Sequence, residues 1–385
     1  GVVQVCGNDN AFAAIKANGS VVTWGKAEFG GNSLAVAALL TEGVVHVCGS
    51  AGAFAAIKAN GGSVVSWGDI DNGGNSSVVA PLLTEGVVHV CRSARAFAAI
   101  KVNGSVVTWG NASLSGNSSA VAALLSEGVV QVCGSDYAFA AIKANGSVVT
   151  WGNADFGGNS SVVAALLSEG VVHVCGSDYA FAAIKANGSV VTSGHADFGG
   201  NSSVVAALLT EGVVHVCGSG TAFAAIKANG SVVTWGNAGH GGNSSAVAPF
   251  LKERVVQVCG SAGAFAAIKA NGCVVTWGDA DRGGNSSVVA PLLMDGVVQV
   301  CGTIGAFAAI KANGSVVTWG RADCGGNSSA VAGLLTEGVV QVCGTGTAFA
   351  AMKANGSVVT WGDAVQGGDS SAVAALLSEG VVQVC

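Results

Sequence analysis

Residues 128–152 read GVVQVCGSDYAFAAIKANGSVVTWG, and the order of their signals decides the fold. Val129 to Cys133 is a β-branched run ended by Gly134, the pattern of a buried strand. Two further apolar runs, Ala138 to Ala144 and Ser147 to Trp151, flank Asn145-Gly146. That dipeptide suits a two-residue type I′ hairpin, because both of its residues must take positive φ. Such a loop sets Ala144 opposite Ser147, so Ile142 faces Val149 and Ala140 faces Trp151, small against large. After Trp151-Gly152 comes a loop, Asn153 to Gly158, and then a polar-capped apolar run from Asn159 to Leu167. Ser before an Ala/Leu run, with Gly170 beyond it, predicts a short helix, an extended fourth strand being the alternative. Pro81, Pro249 and Pro291 stand where this run has Ala165, which a helix tolerates only in its first turn.

The same phrase fills the whole chain of 385 residues. Its Cys recurs at 6, 48, 91, 133, 175, 217, 259, 301, 343 and 385, and its Trp at 24, 67, 109, 151, 235, 277, 319 and 361, with Ser193 in the fifth copy. The period is 42, lengthened once by a glycine in Asn60-Gly61-Gly62. Nine repeats result, 1–42, 43–85, 86–127, 128–169, 170–211, 212–253, 254–295, 296–337 and 338–379, with a partial tenth, 380–385. A period of this length means a solenoid, a propeller or an array. One repeat is too small to hide its apolar face alone, so the reading is one continuous array, 1–385, in which neighbours complete each other's cores.

The phrase Val129 to Gly134, followed by Ala140 to Gly152 with its Asn-Gly turn and Trp-Gly end, resembles the repeat of the RCC1-like family (regulator of chromosome condensation). That resemblance covers every repeat and implies a propeller used as a protein-binding scaffold. The chain departs from the family in its shorter repeat, in lacking the family's His after Cys-Gly, and in Gly157-Gly158-Asn159-Ser160 where the family has Gly-Gln-Leu-Gly. Family propellers close with seven blades, whereas nine repeats plus an extra opening strand, Gly380 to Cys385, point to an open superhelix or solenoid, with a closed propeller as the alternative. The nucleotide-exchange and light-sensing roles known in the family are not implied. No inserted wedge loop breaks the repeat, and each Trp has its own packing reason.

Composition narrows the function. Half the residues are hydrophobic, 10% are charged, the net charge is -6 and 60 residues are Gly. Disorder, collagen and a basic nucleic-acid binder are excluded. No apolar run approaches 18 residues, so membrane insertion is not expected. The periodic Cys read as small buried hydrophobes, since the Cys-x-x-Cys and His-x3-His spacings of metal sites do not occur. His46, His89, His173 and His215 alternate with Gln at one strand position, which points to a hydrogen-bonding role that either side chain meets. Asp69 to Gly74 and Asp279 to Gly284 have the look of oxygen-rich calcium loops, but Lys26, His195 or Arg321 replaces the first residue elsewhere, as in a solvated turn. The Asn-Gly-Ser and Asn-Ser-Ser triplets satisfy the glycosylation rule and serve turns equally well. One Lys per repeat beside the hairpin turn, such as Lys143, reads as a guard against edge-to-edge aggregation.

An enzyme site needs different groups converging at one place, whereas nearly every polar residue here is copied nine times, so no catalytic residue, cofactor or metal is expected. Variation concentrates in two loops, after Cys-Gly and after Trp-Gly. Loops on a rigid scaffold carry partner contacts, which makes Glu28, Phe29, Arg95, Asp136, Tyr137, Asp155, Phe156, His240 and Gln366 the candidate residues. Two functions follow. One is a structural scaffold, an elongated or filament-forming component that assembles with itself. The other is an RCC1-like module that binds proteins through these loops. Both cytoplasmic and extracellular settings are compatible with the sequence.

Overall fold

The computed structural model describes residues 1–378, and the expected extra strand, Gly380 to Cys385, lies outside them. Among the described residues there are nine separate three-stranded antiparallel sheets, one per repeat. In repeat 4 the strands are Val129–Gly134, Ala138–Lys143 and Val148–Gly152. Each sheet is followed by short helical turns, almost all of the tight 3-10 kind. Two compact bodies are distinguished, one of Gly1–Val87 with the chain from Ser286 onward, the other of Val88–Asn285.

The hairpin differs from the expected type I′ turn. Gly146 N–H donates to Lys143 O at 2.7 Å and Lys143 N–H to Ser147 O at 2.9 Å, which makes a three-residue loop. Only Gly146, at φ 75°, takes the left-handed conformation, while Asn145 does not. This is a type I turn closed by a left-handed glycine, an arrangement that Asn-Gly supports as well as it supports type I′. The pairing therefore moves by one residue, to Phe139 opposite Trp151 and Ile142 opposite Val148. The rings of Phe139 and Trp151 stack at 5.2 Å, and the same pair recurs in seven other repeats. In repeat 2 the added glycine lies in the hairpin tip, where Gly61 and Gly62 both have positive φ.

The middle strand is buried on both faces, which is why it reads as an unbroken apolar run rich in Ala. Ala138, Ala140 and Ile142 pack with Val171, Val174 and Phe181 of the next repeat. Phe139 and Ala141 face the other way, into a core with Ala96, Ala98 and Ile100 of the preceding repeat. Each fully buried Phe contributes about 1.5–3 kcal/mol of apolar transfer. The first strand is buried less than its sequence suggests. A bulge between Val129 and Gln131 leaves Val130 outside the pairing and 61% exposed. The apolar run beyond Asn159 forms the expected short helix or turn, of the tight 3-10 kind. In repeat 2 the bonds Val79 N–H to Ser76 O and Leu83 N–H to Ala80 O bracket Pro81, so its missing N–H costs no bond of either turn.

Polar contacts join one repeat to the next. The Trp151 indole N–H donates to Ser115 O at 3.2 Å, Trp235 to Gly199 O and Trp277 to Gly241 O, both at 3.0 Å. A buried donor is thereby satisfied at each junction. Lys143, Lys185 and Lys227 donate from Nζ to the carbonyls of Leu124, Leu166 and Leu208, in the preceding repeat. These lysines are inter-repeat ties. Within the first body, repeat 9 meets repeat 1 in the same way. Val2 N–H donates to Gly356 O at 3.1 Å, the Trp24 indole to Gly367 O at 3.0 Å, and Phe12 and Trp24 share a core with Ala348, Ala350 and Leu377.

Candidate functional site

The two variable loops of one repeat are held together by their own backbone. In repeat 4, Ala138 N–H donates to Ser135 Oγ and Asn153 N–H to Tyr137 O, which ties the loop after Trp-Gly to the loop after Cys-Gly. Asn153 Oδ1 accepts from Asp155 N–H at 3.0 Å and fixes the turn Ala154–Phe156, which carries Phe156 over to Tyr137. Backbone bonds then string the loops of successive repeats, from Ala94 N–H to Asp136 O, from Asp136 N–H to Asp178 O and from Asp178 N–H to Gly220 O.

The result in repeats 4 and 5 is a cluster of five half-buried rings. Tyr137 stacks on Tyr179 at 5.6 Å, and Phe156 lies between them, 5.0 Å from one and 5.1 Å from the other. Tyr179 meets Phe198 at 4.9 Å, and the His195 ring stacks on Phe198 at 4.5 Å and on Phe156 at 6.1 Å. Burial, the neighbouring Tyr137 and the carboxylates of Asp178 and Asp136 hold the Tyr179 phenol above its ordinary range. Aromatic faces next to carboxylates can hold apolar or cationic groups.

Of the residues expected from the sequence, the structure brings Asp136, Tyr137, Asp155 and Phe156 to this place. The others make contacts of their own. Glu28 pairs with Lys26 at 3.3 Å, Lys26 Nζ sits 4.5 Å over the Phe29 ring, and Phe29 O accepts from Asn8 Nδ2. Arg95 is exposed, His240 Nδ1 bonds Thr221 Oγ1 at 2.8 Å, and Gln366 N–H donates to Asp363 Oδ1 at 3.2 Å. Tyr179, His195 and Phe198 were missed. A signal for them exists, since the chain has only two Tyr and both stand in the phrase Ser-Asp-Tyr of adjacent repeats that also share Ala-Asp-Phe-Gly.

Repeat 5 also lacks the periodic indole. Ser193 stands opposite Phe181 where other repeats pair Trp with Phe. Phe181 is 3% exposed and Ala183 4%, while their counterparts in the other eight repeats are all at 0%. A cleft of about 660 Å³ opens here between repeats 4 and 5, lined by Phe156, Val163, Thr192, Ser193 and His195 among others. Similar clefts of about 490 and 730 Å³ lie between repeats 1 and 2 and repeats 5 and 6, where the wall is Trp67 or Trp235. His195 Nδ1 is buried without a hydrogen-bond partner.

The remaining candidates are occupied structurally. Burial first, and the next thiol in the row second, push Cys91, Cys133, Cys175 and Cys217 up to about 12, so these thiols stay protonated at neutral pH. His173 Nδ1 lies 3.3 Å from Gln131 Nε2, and its ring stacks on His215 at 6.2 Å, a row in which Gln and His exchange as hydrogen-bonding groups. Asp69 and Asp279 accept from the amides of Asp71 and Asp281, as turn caps do. Among the described residues, no three His, Cys, Asp or Glu side chains are placed to hold a metal ion, and no helix is long and apolar enough to cross a membrane.

No protein-family model matches the chain, and no curated protein does. Among solved structures it is similar to the ectodomain of the Physcomitrella patens receptor kinase CR4, at 12% identity and a TM-score of 0.44, over 82% of this chain and 72% of that one. Human WBSCR16 is similar at 17% identity and a TM-score of 0.42, over 67% and 84% of the two chains. Prp20p of Saccharomyces cerevisiae, the yeast RCC1, is similar at 14% identity and a TM-score of 0.40, over 67% of this chain and 80% of that one.

Proposed function

We propose that the protein is a non-enzymatic repeat scaffold that binds a partner protein through the loop face of repeats 4 and 5. The observation that carries this reading is the cluster of Tyr137, Phe156, Tyr179, His195 and Phe198, half-buried on the two loops in which the repeats differ. Such rings offer large contact area at little entropic cost, and Tyr is enriched where binding energy concentrates. The RCC1-like resemblance of the repeat supports the same kind of role. In a capture experiment with the full chain as bait, a partner held by the native protein should be lost at least tenfold from the Tyr137→Ala/Tyr179→Ala double variant and kept by Glu28→Ala and Gln366→Ala. Equal capture by all four chains overturns the proposal.

A second reading, assembly of the chain with itself into an elongated or filamentous structure, is favoured by the apolar residues of the 3-10 turns. Val78, Val162, Val204 and Val288 are 94–96% exposed, and Leu82, Leu166, Leu208 and Leu292 about half exposed. Sedimentation velocity over a hundredfold range of concentration tests it. A growing mass supports assembly, and a constant monomer mass removes it.

A further inference from the structure

We propose that the gap left by Ser193 is a binding site for the indole ring of a small molecule. The argument starts from the repeat itself. In repeats 2, 6 and 7 an indole fills the equivalent place, stacked on Phe54, Phe223 or Phe265 at 5.3 Å, with its N–H donating at 3.0 Å to the carbonyl of Gly30, Gly199 or Gly241. Repeat 5 keeps every other part of that receptor. Phe181 supplies the stacking face, Gly157 presents the corresponding carbonyl in a left-handed turn at φ 98°, and Val163 and Val191 supply apolar wall. What is missing is the ring, and the Gly157 carbonyl has no indole to accept from.

Two observations mark the gap as open to a ligand. Phe181 and Ala183 regain solvent contact that their counterparts lack, and Ser193 itself stands in the wall of the cleft between repeats 4 and 5, where Trp67 and Trp235 stand in the equivalent clefts. His195 Nδ1 is a buried polar atom in that wall with its hydrogen bond unmade, whereas Asn153 and Asn237 at the same position cap the turn that follows. An apolar cavity of about 150 Å³ is enough to bind a single aromatic ring from water. The chemistry selected is a flat bicycle with one ring N–H, because stacking alone leaves the carbonyl of Gly157 unserved.

The position of the strand decides between a free molecule and a tryptophan carried by a partner chain. In the other repeats the indole is attached through its C3 atom to the third strand. In the same pose, C3 of a bound indole therefore points at Ser193. A small indole has only hydrogen or a methyl group there, while a tryptophan residue would have to place its own backbone inside the strand. The site accordingly fits an unsubstituted or benzo-substituted indole, and it excludes a peptide tryptophan in this pose.

Fluorine NMR of 5-fluoroindole with the full chain tests the proposal without any partner protein, so its outcome is separate from that of the loop-face reading. The native protein is expected to bind saturably, and Ser193→Trp to weaken binding at least tenfold by filling the gap with the protein's own ring. Ser193→Leu, which fills part of the space, serves if the first variant does not fold. Benzothiophene, of the same shape without the N–H, should bind up to about tenfold more weakly. Trp277→Ser should create a second site in the same chain. Absence of saturable binding at millimolar 5-fluoroindole, equal binding by native protein and both Ser193 variants, or equal affinity for N-acetyl-tryptophanamide overturns the proposal.

Discussion

Arg254 is the one described residue other than glycine with positive φ, at 65°, because it occupies the opening position that is Gly in the other eight repeats. A side chain in the left-handed region costs about 1–2 kcal/mol, part of which glycine returns through its freer unfolded state. Arg254→Gly should therefore raise stability by about 1 kcal/mol in urea denaturation, with the slope unchanged. His173 conflicts with its surroundings in a different way. Burial, followed by the neighbouring His215, lowers its pKa from the ordinary 6.5. The unfolded chain then takes up the proton before the folded one, so stability is full above about pH 6.5 and falls as the pH drops through the folded value. His173→Gln, which installs the residue of other repeats, should flatten that acid limb in thermal melts between pH 7 and 5. An unchanged limb would mean that other groups set it.

At the scale of the element, the hairpin turn controls the most. Gly146 has φ 75°, and a Cβ there would lie 2.6 Å from the backbone nitrogen of Gly170 in the next repeat. Gly146→Ala should cost about 2 kcal/mol or more in chemical denaturation, since strain and collision act together. The three strands, their order and the Asn-Gly turn were legible from residues 128–152, because period, β-branching and turn chemistry are local. The register was not. Asn-Gly permits loops of two or three residues, and the choice rests on packing: the longer loop sets Phe139 opposite Trp151, where the rings stack at 5.2 Å. The bulge that exposes Val130 was hidden for the same reason. Two of the five rings of the aromatic site could be read from the variable loops, Tyr137 and Phe156. The other three, Tyr179, Phe198 and His195, depend on which loops the stacking of sheets makes neighbours, and no spacing within one repeat encodes that.

At the scale of the molecule, each of the two bodies uses one kind of junction again and again. If the contact of repeat 9 with repeat 1 is equivalent to that of repeat 1 with repeat 2, Trp24→Ser and Trp67→Ser should each destabilise by about 3–5 kcal/mol and agree within about 1 kcal/mol. A clearly smaller loss for Trp24→Ser, measured by denaturation under the same conditions, would mark that junction as the weaker one. The sameness of the junctions also bears on how such a chain can change. A middle strand buried between two neighbours must present the right face to each, so copy number can rise or fall only by a complete repeat, as in recombination between near-identical coding segments. An insertion elsewhere in the strands would turn Phe and Ala faces out of phase. The hairpin tip is the exception, since Gly61-Gly62 absorbs one more residue there while Ile57 stays paired with Val64.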